Sequence, residues 1–404
     1  MKKNSLKPVV ISLIVLFAFF PVLQSCSTQT QKGKTNGLEM AVKMADSEIK
    51  HFPEPWTVDF NPKPTWNYTQ GLIAHSMIKV WQENGNEVYY TYAKTYADKF
   101  IGQDGTISVY DLEDYNIDAV NSGKFLFDVY ERTKDERYLK AIHRLRDQLK
   151  THPRVSDGGF WHKKRYPHQM WLDGLYMGAP FYAQYAQYFN EPALFDDIVN
   201  QFVLVHKYTF NTETGLNYHG WDESKQQKWA NPVTGCSPNF WGRAMGWYAM
   251  ALVDVLDFIP QEHPGRAHIL EILNQVAGGI KKYQDPKTGL WYQVLDQGAR
   301  EGNYLEATAS SMFTYALLKA TRKGYISSDY KANALKAYNG ILKNFIQNNS
   351  DGTISLTKCC SVAGLGGNPY RDGSYEYYIG EPVRDNDPKG VGPFIMASLE
   401  YSIK

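Results

Sequence analysis

Thr288-Gly289-Leu290-Trp291-Tyr292 is one of five similar phrases that divide the chain into repeats. In each phrase a glycine follows Asp or Thr, and a short segment rich in β-branched or aromatic residues comes next, which predicts a turn leading into a short strand. The other four phrases are Asp104-Gly105-Thr106-Ile107, Asp157-Gly158-Gly159-Phe160-Trp161, Thr214-Gly215-Leu216-Asn217-Tyr218 and Asp351-Gly352-Thr353-Ile354. Their starts are separated by 53, 57, 74 and 63 residues. Repetition at this spacing indicates a stacked or circular array of supersecondary units.

Two helix-period stretches follow each phrase, the first rich in aromatic and small residues and the second more charged. The aromatic-rich helices are predicted to begin near Trp66, Tyr115, Tyr166, Pro238, Tyr304 and Val391. The charged ones are predicted over residues 37–51, 86–101, 135–150, 191–209, 265–284 and 329–347. Glycines inside the first set, such as Gly71 and Gly246, are tolerable where helix backbones approach closely. We therefore predict an all-α fold, an (α/α)6 double-ring barrel of six alternating inner and outer helices, formed by residues 37–404.

The five turn phrases lie at one end of such a barrel and lead into the N-termini of its inner helices. Helix N-termini favour anions because their first amide groups are free and the macrodipole is positive there. The functional site is therefore expected at this end.

Residues 1–25 have the features of an export signal. Lysines precede the apolar segment 9–23, which is too short to span a bilayer comfortably. The segment ends in Leu23-Gln24-Ser25-Cys26, which resembles a bacterial lipobox, and a polar tether, residues 26–36, follows. An ordinary signal peptide that contains a cysteine is the alternative. We expect an exported protein that is lipid-anchored through Cys26 to a bacterial membrane and faces the periplasm.

Composition argues against a nucleic-acid partner, against disorder and against a cysteine-based framework or metal site. With 43 Lys and Arg against 42 Asp and Glu, the formal charge of +1 leaves no surplus for a nucleic-acid backbone. Aromatic residues make up 14% of the chain, which argues against disorder. Cys236, Cys359 and Cys360 are an odd number with no metal-ligand spacing, so neither a closed disulfide framework nor a metal or other cofactor is expected. Cys359 and Cys360 could form a vicinal disulfide, although small buried side chains are the favoured interpretation.

Asp173 is the most unusual residue of the predicted inner helices. It stands among apolar and aromatic neighbours, where a carboxylate is costly to bury unless it has a partner or a chemical role. Arg243, between Trp241 and Trp247, raises the same question; it could clamp a substrate carboxylate or pair structurally with Asp173 or Asp118. The remaining candidates in these turns and the loops before them are Tyr68, Gln169, His162 and His219. On a helix that starts near Tyr166, Gln169 and Asp173 would share a face.

The run His-Lys-Lys-Arg-Tyr-Pro-His-Gln-Met-Trp-Leu-Asp-Gly-Leu-Tyr-Met at residues 162–177 resembles the central motif of the unsaturated rhamnogalacturonyl hydrolases, glycoside hydrolase family 105. Residues 115–124, 239–247 and 364–378 are similar to that family as well, in the same order. The resemblance implies an (α/α)6 barrel, which the repeats predict independently, and it implies that Asp173 is the catalytic acid/base. It also implies that the pocket is lined by Asp118, His162, His219, Trp241, Arg243 and Trp247.

The resemblance further implies a reaction on 4,5-unsaturated uronic acids, galacturonyl or glucuronyl, at the non-reducing end of lyase-generated oligosaccharides such as rhamnogalacturonan fragments. Asp173 would protonate C4, and its carboxylate would then help a water molecule attack C5. Arg243 and the histidines would hold the uronate, with Trp241 and Trp247 stacked on the sugars. Two alternatives stay open: an ordinary inverting glycosidase or a lyase that uses Asp118 as a second carboxylate, and a non-catalytic glycan-binding lipoprotein.

Overall fold

The computed structural model describes Met1 and residues 25–403, and between residues 25 and 36 it describes the backbone alone. Apart from Met1 and Ser25, the predicted export signal lies outside the described residues, as does the side chain of Cys26. The predicted tether, residues 26–36, lies within the first helix. None of the described helices is long and apolar enough to cross a membrane.

Thirteen α-helices make up most of the described chain. In chain order they are α1 (Ser25–His51), α2 (Tyr68–Asn84), α3 (Glu87–Phe100), α4 (Leu126–Thr133), α5 (Glu136–Thr151), α6 (Leu172–Tyr188), α7 (Leu194–Thr209), α8 (Gly242–Val255), α9 (Arg266–Lys282), α10 (Ala307–Arg322), α11 (Tyr330–Asn344), α12 (Tyr375–Gly380) and α13 (Pro388–Ser402). A 3-10 helix, Ile117–Gly123, comes immediately before α4, and the two together form one element of the barrel.

The inner ring consists of α2, the 3-10 helix with α4, α6, α8, α10 and α13, and each contacts the next until α13 returns to α2. The outer helices α1, α3, α5, α7, α9 and α11 pack outside α13, α2, α4, α6, α8 and α10, respectively. Every residue of α8 is buried, as expected of a helix enclosed on all sides, whereas α5 buries a single face. The predicted (α/α)6 double-ring barrel is confirmed.

Glycine allows the inner helices to approach closely, as the sequence predicts. A Cβ on Gly71 of α2 would lie 2.3 Å from Oγ and 2.5 Å from Cα of Ser122 in the neighbouring 3-10 helix. A Cβ atom does not approach non-bonded atoms this closely, so a side chain at residue 71 would push the two ring elements apart.

The connections at the two ends of the barrel differ in length. Those that lead from an inner to an outer helix are short, such as residues 85–86 and 134–135. Those that lead from an outer to an inner helix are long, such as residues 152–171, 210–241 and 345–387. The long connections all lie at the end where the inner helices begin, which brings loop residues to the predicted site.

Eight short strands lie in these long connections. They are β1 (Gln169–Trp171), β2 (Phe210–Asn211), β3 (Leu216–Asn217), β4 (Gly220–Asp222), β5 (Ile346–Asn348), β6 (Ile354–Leu356), β7 (Cys359–Cys360) and β8 (Val383–Arg384). They pair antiparallel as β1–β4, β2–β3, β5–β6 and β7–β8. The glycine of every predicted turn phrase has a positive φ, between 76° and 96°, at Gly105, Gly158, Gly215, Gly289 and Gly352.

Two inner-ring helices begin four or more residues later than predicted. Residues 169–171 are the extended strand β1 and pair with β4, so α6 begins at Leu172 rather than near Tyr166. The prediction that Gln169 and Asp173 share a helix face is therefore wrong, because the strand pairing satisfies the backbone groups that a helical turn would otherwise use. Likewise, α8 begins at Gly242 rather than near Pro238.

Candidate active site

A cavity of about 580 Å³ opens at the end of the barrel where the inner helices begin. Its wall comes from the first two turns of α2, the 3-10 helix, α6, α8 and α13, and from the long connections between them. Five predicted site residues line it: Tyr68, Asp118, His162, Asp173 and Trp247. The structure therefore brings together side chains that are far apart in the sequence.

Asp173 is the second residue of α6, and its side chain is 14% exposed. Its Oδ2 lies 3.2 Å from Nε2 of His219, out of line for a hydrogen bond, and neither atom has a hydrogen-bond partner among the described residues. Nδ1 of His219 lies 2.7 Å from the hydroxyl of Tyr378. Burial raises the pKa of Tyr378 well above its ordinary value, so this hydroxyl is neutral and can donate to Nδ1. In that tautomer Nε2 carries the ring proton close to Asp173 but out of line for a hydrogen bond.

Asp118 is a paired carboxylate. Nζ of Lys163 donates to its Oδ2, and Nε2 of His162 lies 3.7 Å from its Oδ1. Burial and then the charge of Lys163 hold the pKa of His162 well below its ordinary value, so this imidazole is neutral. The side chain of Asn116 accepts from the backbone N–H of Asp118 and caps the 3-10 helix, which fixes the carboxylate at the rim of the cavity.

Aromatic rings form two walls of the cavity. Trp171, the last residue of β1, stacks with His162 at 4.4 Å and with Tyr166 at 4.9 Å between ring centroids. On another side, Trp247 meets Tyr68 edge to face at 6.1 Å. Flat apolar faces with polar edges suit the faces and hydroxyls of sugar rings.

Arg243 does not line this cavity. Its side chain is buried, and its guanidinium donates to the backbone carbonyls of Cys360 and Ser361. It therefore forms neither the predicted clamp for a substrate carboxylate nor an ion pair with Asp173 or Asp118. The reason is topological, because the connection that contains β7 brings the carbonyls of Cys360 and Ser361 next to Arg243 as acceptors.

Three further predicted residues lie behind the wall rather than in it. His219 is fully buried and contacts Asp173 from behind. Trp241 packs 4.8 Å from His219 and therefore supports that histidine, with no face open to a sugar. Gln169 is buried and accepts a hydrogen bond of 3.1 Å from Nε1 of Trp171, so it orients an aromatic wall.

Several cavity residues were not predicted from the sequence. The cations of the lining are Lys163, Arg165, Arg371, Arg384 and Lys389, and its acids are Asp59, Asp118 and Asp173. Lys163 and Arg371 lie inside the segments 162–177 and 364–378, which resemble the family. That resemblance could have identified them as site residues. Nothing in the sequence marked Asp59 as a site residue, because only folding brings it to Arg384 and Lys389.

No group of three or more His, Cys, Asp or Glu side chains in the described part of the chain is placed to hold a metal ion. Cys236, Cys359 and Cys360 are free thiols and buried, which agrees with their interpretation as small core side chains.

A family model described as Glycosyl Hydrolase Family 88 matches residues 40–403. The chain belongs to this family. A solved structure of a family 105 glycoside hydrolase from C. acetobutylicum ATCC 824 is 48% identical, covers 89% of this chain and 98% of its own, and superposes with a TM-score of 0.86. Members of families 88 and 105 are unsaturated uronyl hydrolases, so the protein is a glycoside hydrolase and the glycan-binding alternative is set aside.

Two curated relatives extend the comparison. Protein Atu3128 of Agrobacterium fabrum is 43% identical over 230 residues, which are 55% of this chain and 97% of that protein. The unsaturated rhamnogalacturonyl hydrolase YesR of Bacillus subtilis is 27% identical over 278 residues, which are 67% of this chain and 75% of that enzyme. The resemblance read from the sequence motifs is confirmed by the family model, by YesR and by the family 105 structure.

Proposed function

We propose that this hydrolase removes a 4,5-unsaturated uronic acid, galacturonyl or glucuronyl, from the non-reducing end of lyase-generated oligosaccharides such as rhamnogalacturonan fragments. One observation carries the proposal: among the described acids of the lining, Asp173 alone has no lysine or arginine partner. Asp118 is paired with Lys163, and Asp59 with Arg384. Hydration of an enol ether needs one carboxyl group that exchanges protons, whereas an ordinary glycosidase needs two.

The proposed reaction begins when Asp173, in its acid form, donates a proton to C4 of the unsaturated ring. Positive charge develops at C5 and the ring oxygen, and a water molecule attacks C5 while the Asp173 carboxylate accepts its proton. The resulting hemiketal opens to a ketone at C5 and frees a hydroxyl on C1. The C1 hemiacetal then expels the neighbouring sugar as an alcohol and becomes an aldehyde. His219, whose ring is fixed by the hydroxyl of Tyr378, lies directly behind Asp173 during both proton transfers.

The charge of the cavity supports an anionic substrate. Five cationic residues face three acidic ones in its lining. In addition, α2 begins there without a side-chain cap and without an acid in its first turn, so that the positive end of its dipole remains unneutralised by side chains. The unsaturated uronic acid at the non-reducing end carries a carboxylate, and this cavity is suited to it.

The test is the loss of ultraviolet absorbance of the conjugated alkene when purified protein is mixed with an unsaturated rhamnogalacturonan disaccharide. An unsaturated glucuronyl disaccharide is the second substrate, and the saturated disaccharide is the control. We expect consumption of at least one unsaturated substrate and no cleavage of the saturated one. Cleavage of the saturated disaccharide would indicate an ordinary glycosidase, and silence on both unsaturated substrates would contradict the proposal.

We also propose that Cys26 is lipidated and holds the enzyme on a bacterial membrane, facing the periplasm. The support is the lipobox-like segment 23–26 behind an apolar segment. Cys26→Ala is expected to shift the protein from the membrane fraction to the soluble fraction and to abolish incorporation of labelled fatty acid. Cys236→Ala, at a buried core thiol, is the control and should remain in the membrane fraction. Wild-type protein without label would contradict lipidation.

A further inference from the structure

Arg371 is held rigidly in the connection between β7 and α12. The chain folds back on itself there, since Gly366 and Arg371 exchange two backbone hydrogen bonds of 2.8 and 3.2 Å. Nε of Arg371 donates to the carbonyl of Gly366 at 2.8 Å, and Nη2 donates to the hydroxyl of Tyr166 at 2.8 Å. Two edges of the guanidinium are thereby fixed before any ligand arrives.

The remaining nitrogen of this guanidinium, Nη1, has no acceptor among the described residues, and no carboxylate there forms an ion pair with Arg371. The lining cations that are already paired with acids are Lys163, Arg384 and Lys389. Arg165 is unpaired too, but it is exposed and contacts only the ring of Tyr166, at 5.0 Å. Arg371 is therefore the one cation of the lining that is both held in position and without a counter-charge.

We infer that Arg371 binds the carboxylate of the substrate uronate and makes the enzyme specific for the free acid. The inference rests on the proposed function. It assigns to Arg371 the role that the sequence predicted for Arg243, whose guanidinium donates instead to the backbone carbonyls of Cys360 and Ser361. A planar guanidinium that is preorganised on two edges offers a carboxylate directed donors at a small entropic cost.

The chemistry decides which kinetic constant responds. Positive charge develops at C5, which carries the carboxylate, so the contact with Arg371 does not become stronger in the transition state. An interaction of equal strength in the bound substrate and the transition state affects KM and leaves kcat unchanged. Arg371 is thus a specificity residue, and Asp173 remains the catalytic one.

The experiment compares an unsaturated uronyl disaccharide with its methyl ester in wild-type enzyme and Arg371→Gln. For the free acid, KM is expected to rise by about tenfold or more in the variant, with kcat unchanged. For the ester, KM should be the same in both proteins, because the charge that Arg371 recognises is absent. Arg300→Gln is the matched control, since Arg300 is exposed, pairs with Glu376 and does not line the cavity.

A second variant displaces the guanidinium without removing it. A Cβ on Gly364 would lie 2.3 Å from Nη1 and 2.8 Å from Cζ of Arg371, so Gly364→Ala should reproduce the loss of preference for the free acid. A rise in KM that is equal for acid and ester in Arg371→Gln would show a merely structural role and overturn the inference.

Tryptophan fluorescence gives the same comparison without turnover, through titration with galacturonate and its methyl ester. Wild-type enzyme is expected to bind the acid more tightly, and Arg371→Gln to bind both equally. If the alkene assay is silent but this preference is present and disappears in the variant, the proposed reaction fails and the inference about Arg371 stands. If the assay succeeds and the variant keeps the preference, the inference alone fails.

Discussion

Asp173→Asn is expected to lower kcat/KM for an unsaturated uronyl disaccharide by about a thousandfold. An amide can neither donate a proton to C4 nor accept one from the attacking water. The loss should fall on kcat, because Asn has the same shape as Asp and leaves the aromatic walls and Arg371 in place. The ultraviolet absorbance of the conjugated alkene measures the effect directly.

The fold should survive this substitution. Oδ2 of Asp173 has no hydrogen-bond partner among the described residues, so the amide removes no bond that stabilises the barrel. Asp196→Asn is the control, since its carboxylate on the outer helix α7 is 83% exposed. The control should keep full activity, and both variants should melt with the wild-type protein. An Asp173→Asn enzyme with more than a tenth of wild-type activity would exclude this residue as the acid/base.

Lys124→Met is expected to stabilise the protein, and more so at acidic than at alkaline pH. Lys124 caps the C-terminus of the 3-10 helix and lines a second cavity, of about 340 Å³, at the opposite end of the barrel. It is 3% exposed, and its Nζ has no hydrogen-bond partner among the described residues, lying 3.7 Å from the ring centroid of Tyr176. Burial lowers its pKa from 10.5 to about 7.

The pH dependence of this stabilisation follows from the different pKa values of Lys124 in the folded and unfolded states. The unfolded chain keeps this lysine charged up to about pH 10.4, whereas the folded protein releases the proton above about pH 7. Below the folded pKa both states are charged and the folded state carries the full cost of burying the cation, on the order of 5 kcal/mol. That cost decreases as the pH rises between the two pKa values and disappears above the unfolded one.

Urea midpoints near pH 6 and pH 10 measure the effect. Methionine fills nearly the same space without charge, so Lys124→Met should unfold at higher urea than wild type at the acidic pH and at almost the same urea at the alkaline pH. Lys207→Met, at an exposed lysine beside Asp157, is the control and should show no gain. Equal gains at both pH values would mean that burial of the charge is not the cause.

The barrel could be predicted from the sequence because its repeats are local. Each helix shows its period within a short window, and the glycine of each turn phrase marks the start of a connection. Asp173 could be found for a similar reason, since a carboxylate among apolar and aromatic neighbours is unusual wherever the chain places it. Cavity residues inside a segment that resembles the family, such as His162, could be predicted from the sequence as well.

Partners that are distant along the chain could not be predicted. The start of α6 depends on the pairing of β1 with β4, about fifty residues away, which outweighs a local pattern that favours a helix from Tyr166. Asp59 meets Arg384 and Lys389 across most of the chain, so no window contains all three. Arg243 looked like a ligand for an anion because its carbonyl acceptors, at residues 360 and 361, belong to another repeat.

The unequal length of the connections divides the barrel into an end with tight turns and an end with long loops. Turns as short as 85–86 and 134–135 clamp one rim, where an insertion would force two packed helices apart. Segments such as 210–241 and 345–387 form the other rim and can lengthen or shorten without repacking the double ring. Asp173 lies on a helix of the ring, whereas Arg371 lies on one of the long connections. Changes in these connections can therefore alter substrate preference while the helix that places the proton-transferring carboxyl group stays unchanged.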